Sequence, residues 1–170
     1  MAMQVQAHFI GVDTSKLRFD IDQSWSSDRV RVENDSKPIE RYLKGLKALD
    51  GPVCIAIEAT NTYHVEFVEI AYKLGYTVYV IDGLRLKHYR ESIGGRAKTD
   101  ASDARLLRRY LEHEREYLRP WSPPPKAYAK IQRLLRRRAK LVQTKTQLRQ
   151  CFSGLRELKS STAALVRHMD

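Results

Sequence analysis

A chain of 170 residues with 42% hydrophobic and 30% charged residues has the balance of a globular protein with one core and an appendage. No apolar run approaches the roughly 20 residues that a membrane helix needs, and the N-terminus lacks a signal-peptide pattern, so the sequence excludes both classes. Its two cysteines, Cys54 and Cys151, lack the spacing of a zinc site or a disulfide framework, and we therefore expect a reducing, cytoplasmic setting.

The net charge of +11 is concentrated at one end of the chain. From Lys126 onward there are twelve Lys or Arg and only two acids, Glu157 and Asp170, so this segment carries nearly all of the excess charge. Such asymmetry predicts a polyanionic partner, with nucleic acid the first candidate and an acidic membrane surface the second. A solvated helix face is the simpler alternative, but such faces usually mix both signs.

Strand patterns come first along the chain. Residues 8–13 (HFIGVD) predict a buried strand that ends in Asp13, and the period-two alternation of 18–25 and 29–34 predicts a hairpin. The next predicted elements are a helix from Ser36, a strand over 53–58 that ends in Glu58, a helix over 63–75, a strand over 77–82 and a short helix. This order predicts an α/β domain with a mixed sheet flanked by helices.

The second half of the chain is predicted to be helical. One helix runs from about Asp100 to about Glu116, and RPWSPPPK (119–126) follows as a stiff linker. A single helix is predicted from Ala127 to about His168. Leucines recur every seven residues along it and form a coiled-coil-like seam: Leu134, Leu141, Leu148 and Leu155. Because the chain offers this helix no core of its own, we expect it to pair with a copy of itself, a partner, or further parts of a longer protein.

Four carboxylates stand at the ends of predicted elements. Asp13 and Glu58 end strands, where ligand sites of α/β sheets lie, and Asp100 and Asp103 share one helix face because residues three apart are neighbours. Each acid also has a simpler interpretation: Asp13 opens a turn, Glu58 is the first exposed residue after its strand, and Asp100 and Asp103 cap a helix. Asp82 is a further candidate, whereas Asp20 and Asp22 are predicted to be solvated.

Carboxylate oxygens are the ligands that Mg²⁺ prefers. Two such ions about 3.5–4 Å apart can stabilise the attacking and leaving oxygens of a phosphodiester displacement. Four acids from two strands and a helix can hold them, and the basic tail would attract the substrate. The sequence therefore predicts a metal-dependent site that acts on nucleic acid.

Three segments followed by a long basic helix carry a family resemblance: IGVDTSK (10–16), IEATNTYH (57–64) and KTDASDARLL (98–107). Their order and spacing resemble the DEDD transposases of the IS110 group, relatives of the Piv invertase. The resemblance covers essentially the whole chain and implies an RNase H-like, RuvC-like catalytic domain over 1–118, the linker over 119–126, and a basic helix over 127–170 that begins a coiled-coil region.

Carried over residue by residue, the resemblance implies a catalytic and metal-binding tetrad of Asp13, Glu58, Asp100 and Asp103, with two Mg²⁺ or Mn²⁺ ions. The implied activity is DNA transposition or site-specific inversion in a prokaryotic cytoplasm, at the nucleoid, with a structured guide RNA as a further partner. We assign nucleic-acid binding to ten basic residues: Arg96, Lys98, Lys126, Lys130, Arg133, Arg136, Arg137, Arg138, Lys140 and Lys145.

The chain departs from the family pattern in two respects. The family usually has Gly where this chain has Asn61, a change that removes no ligand. Family members also continue into a second domain with a serine that looks like a covalent nucleophile, and that motif is absent here. We therefore expect an isolated catalytic domain, a truncated element or a fragment of a longer protein.

Three other functions compete with that of a transposase. A stand-alone Holliday-junction resolvase would use the same carboxylates, and an actin-like kinase also begins with a strand that ends in Asp. The kinase requires Gly-rich phosphate loops, for which only Gly94 and Gly95 are available. A non-catalytic module for nucleic-acid binding and oligomerisation is the third alternative, against which the presence of all four acids argues.

Overall fold

The computed structural model of the protein describes residues 7–94, 100–152 and 159–167, with the side chains of residues 100–102, 159, 162 and 165 left out. The chain divides into two units, the first ending at Ser122 and the second beginning at Pro123. Within the described ranges, no helix is both long enough and apolar enough to cross a membrane.

The first unit alternates between strands and helices after an initial run of strands. Its described strands are β1 (His8–Thr14), β2 (Arg18–Gln23), β3 (Ser26–Glu33), β4 (Val53–Glu58) and β5 (Thr77–Ile81). Its described helices are α1 (Ser36–Gly45), α2 (Val65–Lys73), α3 (Gly83–Ser92) and α4 (Asp100–Glu114). Short 3₁₀ turns follow α1 and α4, at Leu46–Ala48 and Arg115–Tyr117.

The five strands form one sheet in the order β3-β2-β1-β4-β5. β1, β2 and β3 pair antiparallel, whereas β4 is parallel to both β1 and β5. This places β1 at the centre of the sheet, between the hairpin and the parallel half. The predicted α/β fold class, a mixed sheet flanked by helices and followed by a long basic helix, is confirmed.

Each face of the sheet is covered by two helices. On one face α1 and α2 bury side chains such as Leu43 and Phe67 against Ile10 and Val12 of β1. On the other face α3 and α4 bury Leu86, Leu107 and Leu111 against β4 and β5. Apolar residues on both faces of β4 explain why its sequence, VCIAIE, is a continuous apolar run rather than an alternating one.

Aspartates begin two of these helices. Asp35 caps α1 by accepting a hydrogen bond from the backbone N–H of Lys37, and the helix begins at Ser36, as predicted. Asp82 caps α3 in the same way, accepting from the N–H of Leu84 at 2.9 Å. Asp82 therefore has a structural role at the end of β5.

The segment that leaves the first unit stays on its surface up to Trp121. The Trp121 N–H donates to the carbonyl oxygen of Val78 in β5 at 2.7 Å, and its ring packs edge-on against Tyr72 at 5.5 Å. Residues 119–122 thus lie within the first unit. The division into a catalytic domain over 1–118, a linker over 119–126 and a basic helix over 127–170 stays a prediction.

The second unit consists, where described, of α5 (Lys126–Cys151) and α6 (Lys159–Arg167), which contact each other. The prediction of one continuous helix to about His168 is wrong at this point, because α5 ends at Cys151. Phe152 leaves helical geometry (φ −99°, ψ 4°) while its N–H still bonds the Leu148 carbonyl, the pattern of a helix end. Leu155 of the predicted seam lies outside the described residues.

Candidate functional site

Asp13 and Glu58 lie side by side at the carboxyl ends of neighbouring parallel strands. Val12 pairs with Ile57 in the β1–β4 register, so the next residues on the two strands are Asp13 and Glu58. Both share the face of Gly11 and Ala56, because side chains alternate along a strand. The two carboxylates that the sequence placed at strand ends are therefore brought together, as the parallel pairing requires.

Helix α4 crosses this face of the sheet, and its backbone lies in close contact with Gly11 of β1. A Cβ added to Gly11 would lie 2.0 Å from the Ala104 carbonyl oxygen and 2.5 Å from the Arg108 backbone nitrogen. Farther along, the Arg115 guanidinium lies 5.5 Å from the centre of the Phe9 ring. Helix and strand thus run in opposite directions, and the first turn of α4 points toward the Asp13 end of β1.

Asp103, in that first turn, is buried with 3% of its surface exposed. Its Oδ1 accepts a hydrogen bond from Nη2 of Arg90 in α3 at 2.5 Å. Arg90 is a functional candidate that the sequence did not reveal, because nothing in LKHYRES distinguishes it from a surface arginine. The ion pair supplies a positive charge to a carboxylate that would be costly to bury alone.

Parts of the predicted site lie outside the described residues. α4 begins at Asp100, but the side chain of Asp100 is not described, and Arg96 and Lys98 lie in the undescribed segment 95–99. Among the side chains that are described, no group of three or more His, Cys, Asp or Glu is placed to hold a metal ion. The tetrad therefore stays a prediction.

The α3 helix closes the site beside Glu58. A Cβ on Gly83 would lie 2.7 Å from Oε1 of Glu58, so glycine at this first helical position leaves room for the carboxylate. Asp82, the proposed fifth acid, precedes it and uses its Oδ1 to cap α3. The structure thus gives Asp82 a role in building the wall of the site.

The prediction that Asp20 and Asp22 are solvated is wrong, because α4 and two arginines cover the face of β2 that carries them. Asp20, 9% exposed, accepts from Arg18 and Arg31, and Asp22 binds Arg108 of α4 at 2.6 Å. Burial alone would lower the pKa of Arg108, but its bonds to Asp22 and Glu112 outweigh burial and raise that pKa. The predicted alternation of apolar and polar residues along β2 was correct, but alternation alone does not show which side chains cover the polar face of the strand.

The basic residues assigned to the tail lie on α5. Seven of them are exposed and Lys145 is half-buried; the exposed ones are Lys126, Lys130, Arg133, Arg136, Arg137, Arg138 and Lys140. The same helix exposes apolar side chains: Leu134 and Leu141 are each 53% exposed, and Leu148 is half-buried. The helix therefore presents a cationic surface and an uncovered leucine seam together.

The sequence matches the model of a known protein family over most of its length. The model of the DEDD transposases of the IS110 group, described as a transposase, matches residues 10–158. The chain belongs to this transposase family.

Individual relatives of the transposase chain are more distant. The pilin gene-inverting protein of Moraxella bovis is 36% identical over 84 residues, which is 49% of this chain and 26% of that protein. The match thus spans about a quarter of that relative's length.

Two structures of Thermus thermophilus RuvC align with TM-scores of 0.48 and 0.46. One, a complex with a Holliday junction substrate, is 13% identical and covers 68% of this chain and 100% of its own. The other is 11% identical, with coverages of 67% and 99%.

The transposase chain's departure at Asn61 has a simple geometric account. Asn61 has a φ of +48°, in the left-handed region that favours glycine and that asparagine tolerates better than most residues. Asn61 thus adopts a backbone conformation that glycine also takes, in the turn that follows Glu58. The substitution keeps the turn and leaves the carboxylate at its start unchanged.

The DEDD family type implies a divalent metal, and the donor chemistry of this site fits one. Asp13 and Glu58 offer carboxylate oxygens side by side, and such hard oxygen ligands suit Mg²⁺ or Mn²⁺ rather than softer ions. Two carboxylates on neighbouring strand ends can both supply oxygens to one such cation. Asp103, on the helix that covers the same face, is already charge-compensated by Arg90.

Proposed function

We propose that this chain is the catalytic domain of a DNA transposase or recombinase that breaks and joins DNA phosphodiesters with divalent metal ions. The observation that carries the proposal is the pairing of Asp13 and Glu58 on neighbouring strand ends, beneath the helix that carries Asp103. Membership of the transposase family supports the reaction class. The proposed substrate would place the chain in the cytoplasm of a prokaryote, with the nucleoid.

In this proposal the four acids hold metal from three elements. Asp13 and Glu58 contribute from β1 and β4, while Asp100 and Asp103 contribute from the first turn of α4. The metal, when bound, would stabilise negative charge on the phosphodiester and lower the pKa of an attacking water or hydroxyl. Gly83 leaves space for Glu58, and Arg90 fixes the orientation of the Asp103 carboxylate.

The test is DNA cleavage or strand transfer by the metal-free chain after Mg²⁺ or Mn²⁺ is added back, on supercoiled plasmid, linear duplex and four-way junction. Activity that returns with metal and disappears with EDTA is the expected result. Cutting confined to the four-way junction would instead indicate a stand-alone resolvase. Salt-sensitive binding without metal-dependent cutting of any substrate would indicate a non-catalytic module.

We further propose that α5 binds nucleic acid through phosphate contacts, and we predict a salt signature for it. Changing Arg136, Arg137 and Arg138 together to Ala should weaken binding and reduce the slope of log K against log salt by up to about 2.7. Each phosphate contact on duplex DNA contributes about 0.9. The measurement is a salt titration of both proteins on one duplex and on one folded RNA.

The matched control removes Lys37, Lys47 and Lys73, three exposed cations of the first unit (Met1–Ser122), which we call the catalytic unit, and should leave the slope unchanged. Equal slopes for wild type and the arginine variant on both ligands would contradict phosphate binding by α5. A slope that changes only on the folded RNA would support a guide RNA as the ligand of this helix.

We also propose that α5 self-associates through its leucine seam, because Leu134 and Leu141 are half exposed. Glutamate at both positions should convert a dimer or larger oligomer to a monomer without loss of helicity. Sedimentation and circular dichroism at micromolar concentration measure both properties. Glutamate at Gln143 and Gln147 adds the same charge and should leave the oligomer intact. A helical wild-type monomer would contradict the proposal.

A further inference from the structure

Three strands align their side chains in one row beside the candidate metal site. In the sheet register Asp13 of β1 is opposite Asp20 of β2, and Asp20 is opposite Arg31 of β3. Cross-strand partners share a face, so all three point to the face on which α4 lies. With about 4.8 Å between strands, the Arg31 backbone is about 10 Å from that of Asp13.

Asp20 is not a further metal ligand in this row, because both of its oxygens are used. Its Oδ1 accepts from Nε of Arg31 at 3.0 Å, and its Oδ2 accepts from Nε of Arg18 at 3.2 Å. One carboxylate, 9% exposed, therefore brings two guanidinium groups together. The three side chains carry a net charge of +1 next to the acids.

The two arginines remain accessible although the carboxylate between them is nearly covered. The side chains of Arg18 and Arg31 are 46% and 58% exposed. Ion pairs with so much solvent access contribute little to stability, about 0–1 kcal/mol, so stabilisation alone is a weak reason for the arrangement. Arg31 uses its Nε for the Asp20 carboxylate, and the Nη groups of a guanidinium bind phosphate in planar, paired geometry.

We propose that Arg31, with Arg18 aligned beside it by Asp20, binds the DNA backbone at a phosphate next to the one that reacts. The inference rests on the proposed function for the location of the reacting phosphate. The net positive charge of the three side chains is complementary to the single negative charge of a phosphodiester. The row of side chains places Arg31 two strands away from Asp13, on the same face of the sheet. Asp20 acts here as a positioning residue for the two guanidinium groups.

The experiment compares three variants of the full chain: Arg31→Gln, Arg31→Lys and Lys73→Gln. Each is combined with alanine at Arg136, Arg137 and Arg138, so that binding by α5 does not mask the difference. Lys73 is the matched control, because it is an exposed cation on α2, which packs against the opposite face of the sheet. Affinity for one DNA duplex is measured across salt concentrations in EDTA, so the readout does not depend on catalysis.

Arg31→Gln should bind three- to tenfold more weakly than its parent at moderate salt, with a slope smaller by about 0.9. Arg31→Lys should keep the slope, because it keeps the charge. It should lose part of the affinity, because lysine cannot make the paired contacts of a guanidinium. This variant also controls for any loss of folding in the glutamine variant. Lys73→Gln should match the parent. Equal affinity and slope for Arg31→Gln and Lys73→Gln would overturn the proposal, and so would an effect seen on folded RNA but absent on DNA. A wild-type chain without metal-dependent cleavage would refute the proposed function and leave this comparison of binding intact.

Discussion

Replacing Asp13 with Asn should lower metal-dependent DNA cleavage on the order of 10³-fold or more while the fold persists. The change removes one charged ligand, and the metal's stabilisation of the reacting phosphodiester is worth several kcal/mol. Asn keeps an oxygen in the position where Asp13 accepts from the Thr14 N–H at 3.0 Å, so the strand end should be preserved. The measurement is the single-turnover rate with saturating Mg²⁺ or Mn²⁺.

Thermal unfolding gives a second readout that does not depend on activity. Without metal the variant should unfold near the wild-type temperature, because Asn keeps the oxygen that accepts from the Thr14 N–H. Added Mg²⁺ should raise the Tm of wild type, since a ligand that binds only the folded state stabilises it, and should raise that of the variant much less. Equal metal-induced shifts in the two proteins would show that Asp13 does not bind the ion.

Two further substitutions show whether the effect is specific. Asp35→Asn makes the same chemical change at the cap of α1, where Asn caps equally well, and activity should be unchanged. Asp103→Asn should match Asp13→Asn in activity. Alanine is the poorer choice at Asp103, because it would leave Arg90 without its partner at a cost of up to about 3–5 kcal/mol. Full activity in Asp103→Asn would remove it from the catalytic set.

Replacing Gly11 with Ala should destabilise the catalytic unit by about 3 kcal/mol or more and lower its Tm by about 10 °C or more. The added methyl group would meet the backbone of α4 at 2.0 and 2.5 Å, and a backbone cannot rotate away as a side chain can. The helix must shift as a whole, which would also carry Asp103 away from Asp13. Both thermal unfolding and cleavage therefore report on this change.

Gly45→Ala is the matched control, because nothing lies within 4 Å of a Cβ at this last residue of α1. Its backbone is helical (φ −60°, ψ −30°), so alanine there should be neutral or stabilising by less than about 1 kcal/mol. If Gly11→Ala unfolds at the temperature of wild type and keeps its activity, then α4 does not approach β1 as closely as described.

Local patterns predicted the strands well because each ends at a clear change in composition. The apolar run of β4 gave its bounds to the residue, Val53–Glu58, and the predicted position of Asp13 near the end of β1 was also correct. Parallel pairing of two such strands then brings their terminal acids together. That part of the site follows from sequence periodicity and the general rule on strand ends.

The remainder of the site depends on contacts between distant segments, which periodicity does not contain. Arg90 meets Asp103 only because α3 packs beside α4, and Arg31 reaches Asp20 from the neighbouring strand β3. Gly11 appeared as an ordinary strand residue, although it sets how closely α4 approaches the sheet. The end of α5 at Cys151 was also missed, since the seven-residue repeat continues past it in the sequence.

The contact that Trp121 makes with β5 determines where the catalytic unit can be cut. β5 is an outer strand of the sheet, and outer strands with unpaired backbone groups are sites at which proteins aggregate. The Trp121 N–H occupies the Val78 carbonyl on that strand, and its ring packs edge-on against Tyr72. A fragment ending at residue 118, the predicted domain boundary, would lose both contacts and leave the Val78 carbonyl open to other molecules. One that extends through Ser122 keeps both contacts, and is the better choice for expressing the catalytic unit without its basic helices.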